Sequence, residues 1–199
     1  MKHSIYAKYK NVMLRPIMPD DIENLRCWRN DHDNAKYLRP IGTITPEMQL
    51  TWYEKDLNEN DSYTFGIVET KDLHCLVGSI ALYDFNGTTC EQGRSLIGDK
   101  RARGVALPAF VLVHHIAYSL LGIEKIVAES NKKNISSVML CGKLGLVVCG
   151  EHRTYNAEHW EFEQNSDMFY NLHPEVKNIQ IYTDWQYECR QEIIGELKQ

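Results

Sequence analysis

Apolar positions along the chain switch between a period of two and a period near 3.6, and the switches outline the elements. Val12-Met13-Leu14-Arg15-Pro16 reads as a short strand, and Pro19-Asp20-Asp21 as a turn with a carboxylate to cap a helix. Ile22, Leu25 and Trp28 then lie on one face of that helix. Thr45-Pro46-Glu47 opens a second helix with a hydroxyl cap and a proline at the first helical position. Residues 63–68 and 76–82 have strand character, joined by the polar turn Thr70-Lys71-Asp72, and Asn86-Gly87 turns the chain into a third strand over 90–97. A loop rich in lysine, arginine and glycine leads into a long helix that runs to Leu121 and stops at Gly122. A strand over 125–129, a helix from Asn134 to about Gly145, and strands at 147–149 and 179–182 complete the pattern, with a polar stretch from Asn156 to Lys177 between the last two. Short turns make the three-strand meander antiparallel. The strand–helix–strand unit across 90–129 needs a crossover and so predicts a parallel pair. The expected architecture is α/β (α+β), a mixed and mostly antiparallel sheet flanked by helices.

Composition narrows the class. A chain of 199 residues with 43% hydrophobic and 25% charged residues buries a full core as one domain without metals or disulfides. A net charge of -5 argues against a nucleic-acid partner, which needs a concentrated basic surface. Cys27, Cys75, Cys90, Cys141, Cys149 and Cys189 form no C-x-x-C pair and read as free thiols of a reducing compartment. The adjacent His114 and His115 point to different sides of a helix and no H-x-x-x-H occurs, so no metal is expected. With no apolar run long enough to span a bilayer and no signal-peptide pattern at Met1–Tyr6, the expectation is a cytoplasmic protein without a membrane partner.

The segment from Gly98 to Ala106 carries the first candidate chemistry. It falls between a strand and a helix start, where unpaired backbone N–H groups and the helix dipole attract an anion. Gly104 and Ala106 leave room for close approach, Lys100, Arg101 and Arg103 add positive charge, and Pro108 sits in the first helical turn, where a missing N–H costs little. A solvated basic loop ahead of a core helix fits the same residues. Neither G-x-x-x-x-G-K-[ST] nor G-x-G-x-x-G is present, which excludes a P-loop and a Rossmann site.

Arg101-x-x-Gly104-x-Ala106 resembles the R/Q-x-x-G-x-G/A signature of the GNAT acetyltransferases. The run from Asn134 to Leu146 is similar to that family's N-x-x-[AS]-x-x-L-Y-x-K-L-G-F helix, and Glu91-Gln92-Gly93 to the E-x-G of its fourth strand. The resemblance covers residues 11–155; residues 156–199 carry C-terminal strands and a polar insertion of the same domain. It implies the GNAT fold and acetyl-CoA as co-substrate. The backbone of Arg101, Ala102, Arg103, Gly104, Val105 and Ala106 would cradle the pyrophosphate, and Asn134 and Ser137 would serve the same cofactor. A backbone N–H near Leu96 or Ile97 would meet the developing oxyanion. The family tyrosine that reprotonates the departing thiolate falls on Cys141, a free thiol that is either the replacement acid or a small buried apolar residue.

Trp28-Arg29-Asn30, followed by Ile44-Thr45-Pro46-Glu47 and Trp52-Tyr53, is similar to a GNAT branch that includes enzymes acting on nucleotide-linked deoxyamino sugars. It implies a small-molecule amine acceptor held by Trp28, Arg29 and Asn30, through a ring and a fork of donors. A packing role for Trp28 at the end of its helix fits equally. Leu14-Arg15-Pro16 with Asn134 and Ser137 also resembles the acetyltransferases of ribosomal-protein N-termini, the alternative acceptor class. Glu91 is the leading candidate for general base, with Glu129 on the next strand in reserve; a solvated carboxylate is the competing reading of Glu91. A domain that binds acyl-CoA without turning it over, and a homodimer, are also compatible with the residues.

Overall fold

A computed structural model describes residues 3–58 and 62–185; Cys189 and residues 186–199 lie outside the described residues. Nine strands form one sheet in the order β7-β8-β6-β5-β4-β3-β2-β1-β9. The strands are β1 Tyr6–Tyr9, β2 Val12–Pro16, β3 Ser62–Glu69, β4 Cys75–Asn86, β5 Thr89–Ile97, β6 Lys125–Asn131, β7 Val147–Thr154, β8 Ala157–Asn165 and β9 Ile181–Tyr182. The helices are α1 Ile22–Asn30, α2 His32–Ala35, α3 Pro46–Asn58, α4 Ala106–Ser119, α5 Ile135–Leu144 and α6 Ser166–Leu172. The meander β3-β4-β5 is antiparallel and β5 pairs with β6 in parallel, as the turn lengths require. The result is the expected mixed α/β architecture.

The two faces of the sheet have different roles. Leu14, Phe65, Ile67, Ile80, Leu82 and Ile126 belong to the main core with α4 and α5. That core completely buries the middle of α4, including His114 and His115. The two imidazoles are core residues: His114 Nδ1 lies 2.8 Å from Gln164 Oε1, and His115 Nδ1 lies 2.9 Å from the Tyr170 hydroxyl. Burial pushes the His114 pKa down to about 4, so the ring is neutral in its bond to the amide. In a separate cluster α1 and α3 bury Leu25 and Tyr53 against Ile17 and Leu76.

Several elements differ from the sequence expectation. Residues 156–177, expected to be an irregular polar stretch, hold strand β8 and helix α6, and β8 lies between β6 and β7 inside the sheet. Its buried positions are His159, Phe162 and Gln164, so polar side chains fill places that usually advertise a strand through apolar ones. The β7–β8 turn, Tyr155-Asn156, has φ of 46 and 60, a two-residue hairpin turn made without glycine. Strand β9 pairs with β1 at the far edge of the sheet, a placement the sequence left open. Asp21 does not cap α1: its carboxylate turns back to Arg15 (2.5 Å) and to the Met18 N–H (2.7 Å). Thr45 does cap α3, accepting from the Met48 N–H at 3.3 Å.

Candidate active site

The pairing of β5 with β6 covers only Thr89–Glu91 opposite Lys125–Val127. Beyond Glu91, β5 continues with β4 alone, whereas β6 continues through Ala128–Asn131 with β8 alone. The sheet therefore opens at Glu91. An irregularity in the β4–β5 pairing between Ser79 and Ala81, opposite Gly93–Leu96, adds to the divergence, with Arg94 at φ 48. Leu96 and Ile97 regain register with Ser79 and Gly78 just before the turn.

Glu91 is held at the opening by Tyr83, whose hydroxyl donates to its carboxylate. Tyr83 can reach it because Gly93 has no side chain: a Cβ there would stand 2.5 Å from the Tyr83 oxygen. The glycine of the Glu-Gln-Gly triplet thus makes room for the ring that orients the glutamate, and the Arg94 guanidinium covers the same ring at 4.1 Å. Burial raises the Glu91 pKa above the ordinary carboxylate range; the Tyr83 bond partly offsets this and the Glu129 charge adds to it.

At the other end of β5 the turn is stapled from inside. The Gly98 and Asp99 N–H groups both donate to the Val77 carbonyl, at 2.9 and 3.1 Å, and the Ala102 N–H donates to the Asp99 carbonyl. Arg101 gives its N–H (2.9 Å) and its guanidinium (2.6 Å) to the Asp99 carboxylate, which is held below its usual range chiefly by that guanidinium. Lys100 pairs with Asp31 at 3.1 Å. Two of the three cations expected to serve an anion therefore tie the turn down, and the Arg103 guanidinium folds onto the Lys100 and Ala102 carbonyls. Among the described residues, the N–H groups of Arg103, Gly104, Val105 and Ala106 meet no acceptor, and α4 has no side-chain cap. Gly104 has φ 67, and a Cβ on it would face open space. These backbone donors fit a pyrophosphate group. Asn134 caps α5, accepting from the Ser137 N–H at 3.3 Å.

Cys141 is a buried residue of α5. It is 5% exposed within the main core, and burial pushes its thiol up to about 11. A buried thiol that stays protonated fits both a small core residue and a held proton.

Trp28, Arg29 and Asn30 act first on the protein itself. The Trp28 indole lies on the Gly98 backbone, so closely that a Cβ on Gly98 would stand only 2.1 Å from the ring. Asn30 clamps Ile44, donating to its carbonyl (2.9 Å) and accepting from its N–H (2.8 Å), and the Arg29 guanidinium donates to the Arg39 carbonyl. The Arg-Asn pair thereby holds the segment 36–44 in place. Gly98→Ala is expected to destabilise the protein by roughly 1–3 kcal/mol through this overpacking. Urea melts measure it, and a variant as stable as the parent would mean that the indole does not rest on the turn.

The same segment roofs a cavity of about 440 Å³, lined also by Arg29, Asn30, Asn131, Tyr155 and His159. Asn131 and His159 face each other across β6 and β8, and Glu129 faces Glu161 on the same side. Glu129 is two residues beyond Val127, the partner of Glu91, so Glu91, Glu129, Asn131 and His159 share one face of the opened sheet. Sequence reasoning missed Tyr83, Asn131 and His159, because only the strand register brings them to this face, and Tyr155, which the β7–β8 turn carries to the cavity.

A sheet that opens between two parallel strands, one of which feeds an uncapped, glycine-bearing helix N-terminus, is the frame of an acyl-CoA-dependent transferase. The family model described as acetyltransferase (GNAT) domain matches residues 11–147, and the chain belongs to that family. It is an N-acetyltransferase, and acetyl-CoA is the donor used by such enzymes. No curated protein matches the sequence. A GNAT acetyltransferase from Bacillus anthracis is similar in structure, with a TM-score of 0.70, 20% identity, and coverage of 81% of this chain and 99% of that one. Spermidine N-acetyltransferase from Vibrio cholerae, solved with CoA and spermine, has a TM-score of 0.69 at 16% identity, covering 80% and 98%. Ribosomal-protein-S5-alanine acetyltransferase from Vibrio fischeri has a TM-score of 0.68 at 20% identity, covering 82% and 98%. Among the described residues no group of side chains is arranged to hold a metal ion, and no helix is long and apolar enough to cross a membrane.

Proposed function

We propose that this enzyme moves an acetyl group from acetyl-CoA to the primary amine of a small molecule, a nucleotide-linked deoxyamino sugar. The observation that carries the reading is Glu91, fixed by Tyr83 where the sheet opens. From it β5 runs to the pyrophosphate turn, while β6 runs past Glu129 to Asn131 in the cavity wall. The donor, when bound, supplies an activated acetyl thioester. The N–H groups from Arg103 to Ala106 would hold its pyrophosphate, with Arg101 shaping the turn from behind and Asn134 and Ser137 at the neighbouring helix start. Glu91, ionised, takes the proton that the acceptor's ammonium must lose before nitrogen can attack, and its raised pKa makes it a better base near neutrality than an ordinary carboxylate. A backbone N–H in the Leu96–Ile97 stretch would stabilise the oxyanion. Trp28, Arg29 and Asn30 support the acceptor site mainly by fixing its roof.

Incubation with acetyl-CoA and either a nucleotide-linked deoxyamino sugar or a peptide bearing a ribosomal-protein N-terminus tests the reading. N-acetylated sugar, identified by mass spectrometry with matching CoA release, is the expected product. Acetylation of the peptide alone would move the enzyme to the second acceptor class.

A further inference from the structure

We propose that the cavity beneath the segment 36–44 contains an anion subsite, built by Arg29, Lys36 and Arg39, that selects amine acceptors carrying phosphate or diphosphate groups and rejects polyamines. The proposal rests on the acetyl-transfer reading and adds to it the residues that choose the acceptor.

Acidic residues outnumber basic ones in the chain, 27 against 22, yet among the described residues no acidic side chain lines the cavity. Among the described residues no carboxylate pairs with Arg29, Lys36 or Arg39 in its wall. Arg29 is half-buried and donates to a backbone carbonyl, with burial lowering its pKa without discharging it. The Lys36 ammonium lies 5.2 Å from the Tyr37 ring, and the Arg39 guanidinium 5.2 Å from the Tyr155 ring. Three uncompensated charges of one sign around a concavity focus a positive potential, and an anion entering it gains charge-assisted hydrogen bonds. A polyamine would bring several ammonium groups into the same field.

The rest of the wall supplies a ring and a hydrogen-bond donor. His159 is 8% exposed and lines the cavity with its ring, while its Nδ1 is turned into the protein and fully buried. Its ring is held flat against His152, with centroids 5.4 Å apart and planes 14° apart. His152 is in turn fixed by Glu129 (3.1 Å) and Glu161 (3.0 Å). Beside His159, the Asn131 side-chain oxygen accepts from the Lys133 N–H at 2.9 Å, which leaves its NH₂ free to donate. Together the walls suit an acceptor that is anionic at one end and hydrogen-bonding in its body.

The test begins with titration of CoA into the wild type, followed by titration of uridine diphosphate into the CoA-saturated protein, so that the nucleotide cannot occupy the pyrophosphate turn. The double variant Lys36→Glu, Arg39→Glu changes two side chains at the rim of the cavity and is expected to keep its fold and its CoA affinity. Its uridine diphosphate affinity should fall by about 10²-fold or more. In the wild type, CoA release should be faster with a phosphorylated amino sugar than with its unphosphorylated counterpart, and slowest with spermidine. Absence of CoA binding would remove the acetyl-transfer reading and the subsite with it. Normal CoA binding with equal uridine diphosphate affinity in the two proteins, or preferred turnover of spermidine, would remove the subsite alone.

Discussion

Gly104→Glu is expected to abolish binding of acetyl-CoA while leaving the protein folded. The residue sits at φ 67, a conformation that glycine adopts freely, and its missing Cβ faces open space beside the unpaired N–H groups of Arg103, Val105 and Ala106. A glutamate adds strain, fills that space and sets a negative charge against an incoming pyrophosphate. Calorimetric titration with CoA measures the loss, and circular dichroism reports the fold. Gly104→Ala separates the contributions, since it brings the strain and a methyl group without the charge, and should retain weakened binding. A Gly104→Glu protein that binds CoA like the wild type would place the cofactor elsewhere.

Glu91→Gln is expected to lower kcat by about 10²–10⁴, the usual span for loss of a general base, with acetyl-CoA affinity unchanged. The sign of the pH dependence follows from the raised pKa of Glu91. The base works only when ionised, so the wild-type rate climbs as pH rises through that pKa, and the limb lies above the ordinary carboxylate range. The glutamine variant lacks the limb. Tyr83→Phe makes a finer point. Removing the hydroxyl takes away a bond that favours the ionised form, so the limb should move to still higher pH while the rate on the alkaline plateau stays near wild type. Glu129→Gln, assayed in parallel, shows whether the neighbouring carboxylate shares the proton. A Glu91→Gln enzyme within threefold of wild type would falsify the assignment of the base.

The parts of the site that were legible in the sequence are those built by consecutive residues. Gly104 and the N–H groups around it form one turn, Asn134 caps its own helix at Ser137, and Gly145 at φ 86 ends that helix with its N–H on Gly142. Local conformational preference decides such features, so a short motif preserves them. The meander and its parallel neighbour were legible for a similar reason, since the connection lengths restrict the pairing.

Strand β8 was not legible. Its buried positions at His159 and Gln164 are polar, and a hydropathy pattern cannot tell a polar residue with a waiting partner from a solvated one. Gln164 is satisfied only because α4 and α5 bring His114 and the Leu144 carbonyl to it. Asn30 and Arg29 look like donors for a substrate until the segment 36–44 folds back and offers Ile44 and Arg39 as their first partners. Cys141 stands in a motif position of a proton donor, and only the fold around it shows that it is buried in the core.

The sequence by itself therefore determined the family, the strand-to-helix turn at residues 98–106 and the strand that carries Glu91, because each rests on local geometry or on a residue type at a fixed spacing. The tertiary structure decided which residues meet. Gly93 admits the Tyr83 ring, Tyr83 reaches Glu91, and the separation of β5 from β6 opens the sheet beside them. The cavity of Arg29, Lys36, Arg39, Asn131, Tyr155 and His159 gathers side chains from segments that are far apart in sequence. The physical reason is that strand register and burial set side-chain partners and desolvation across such separations, and neither is encoded in a short stretch of chain.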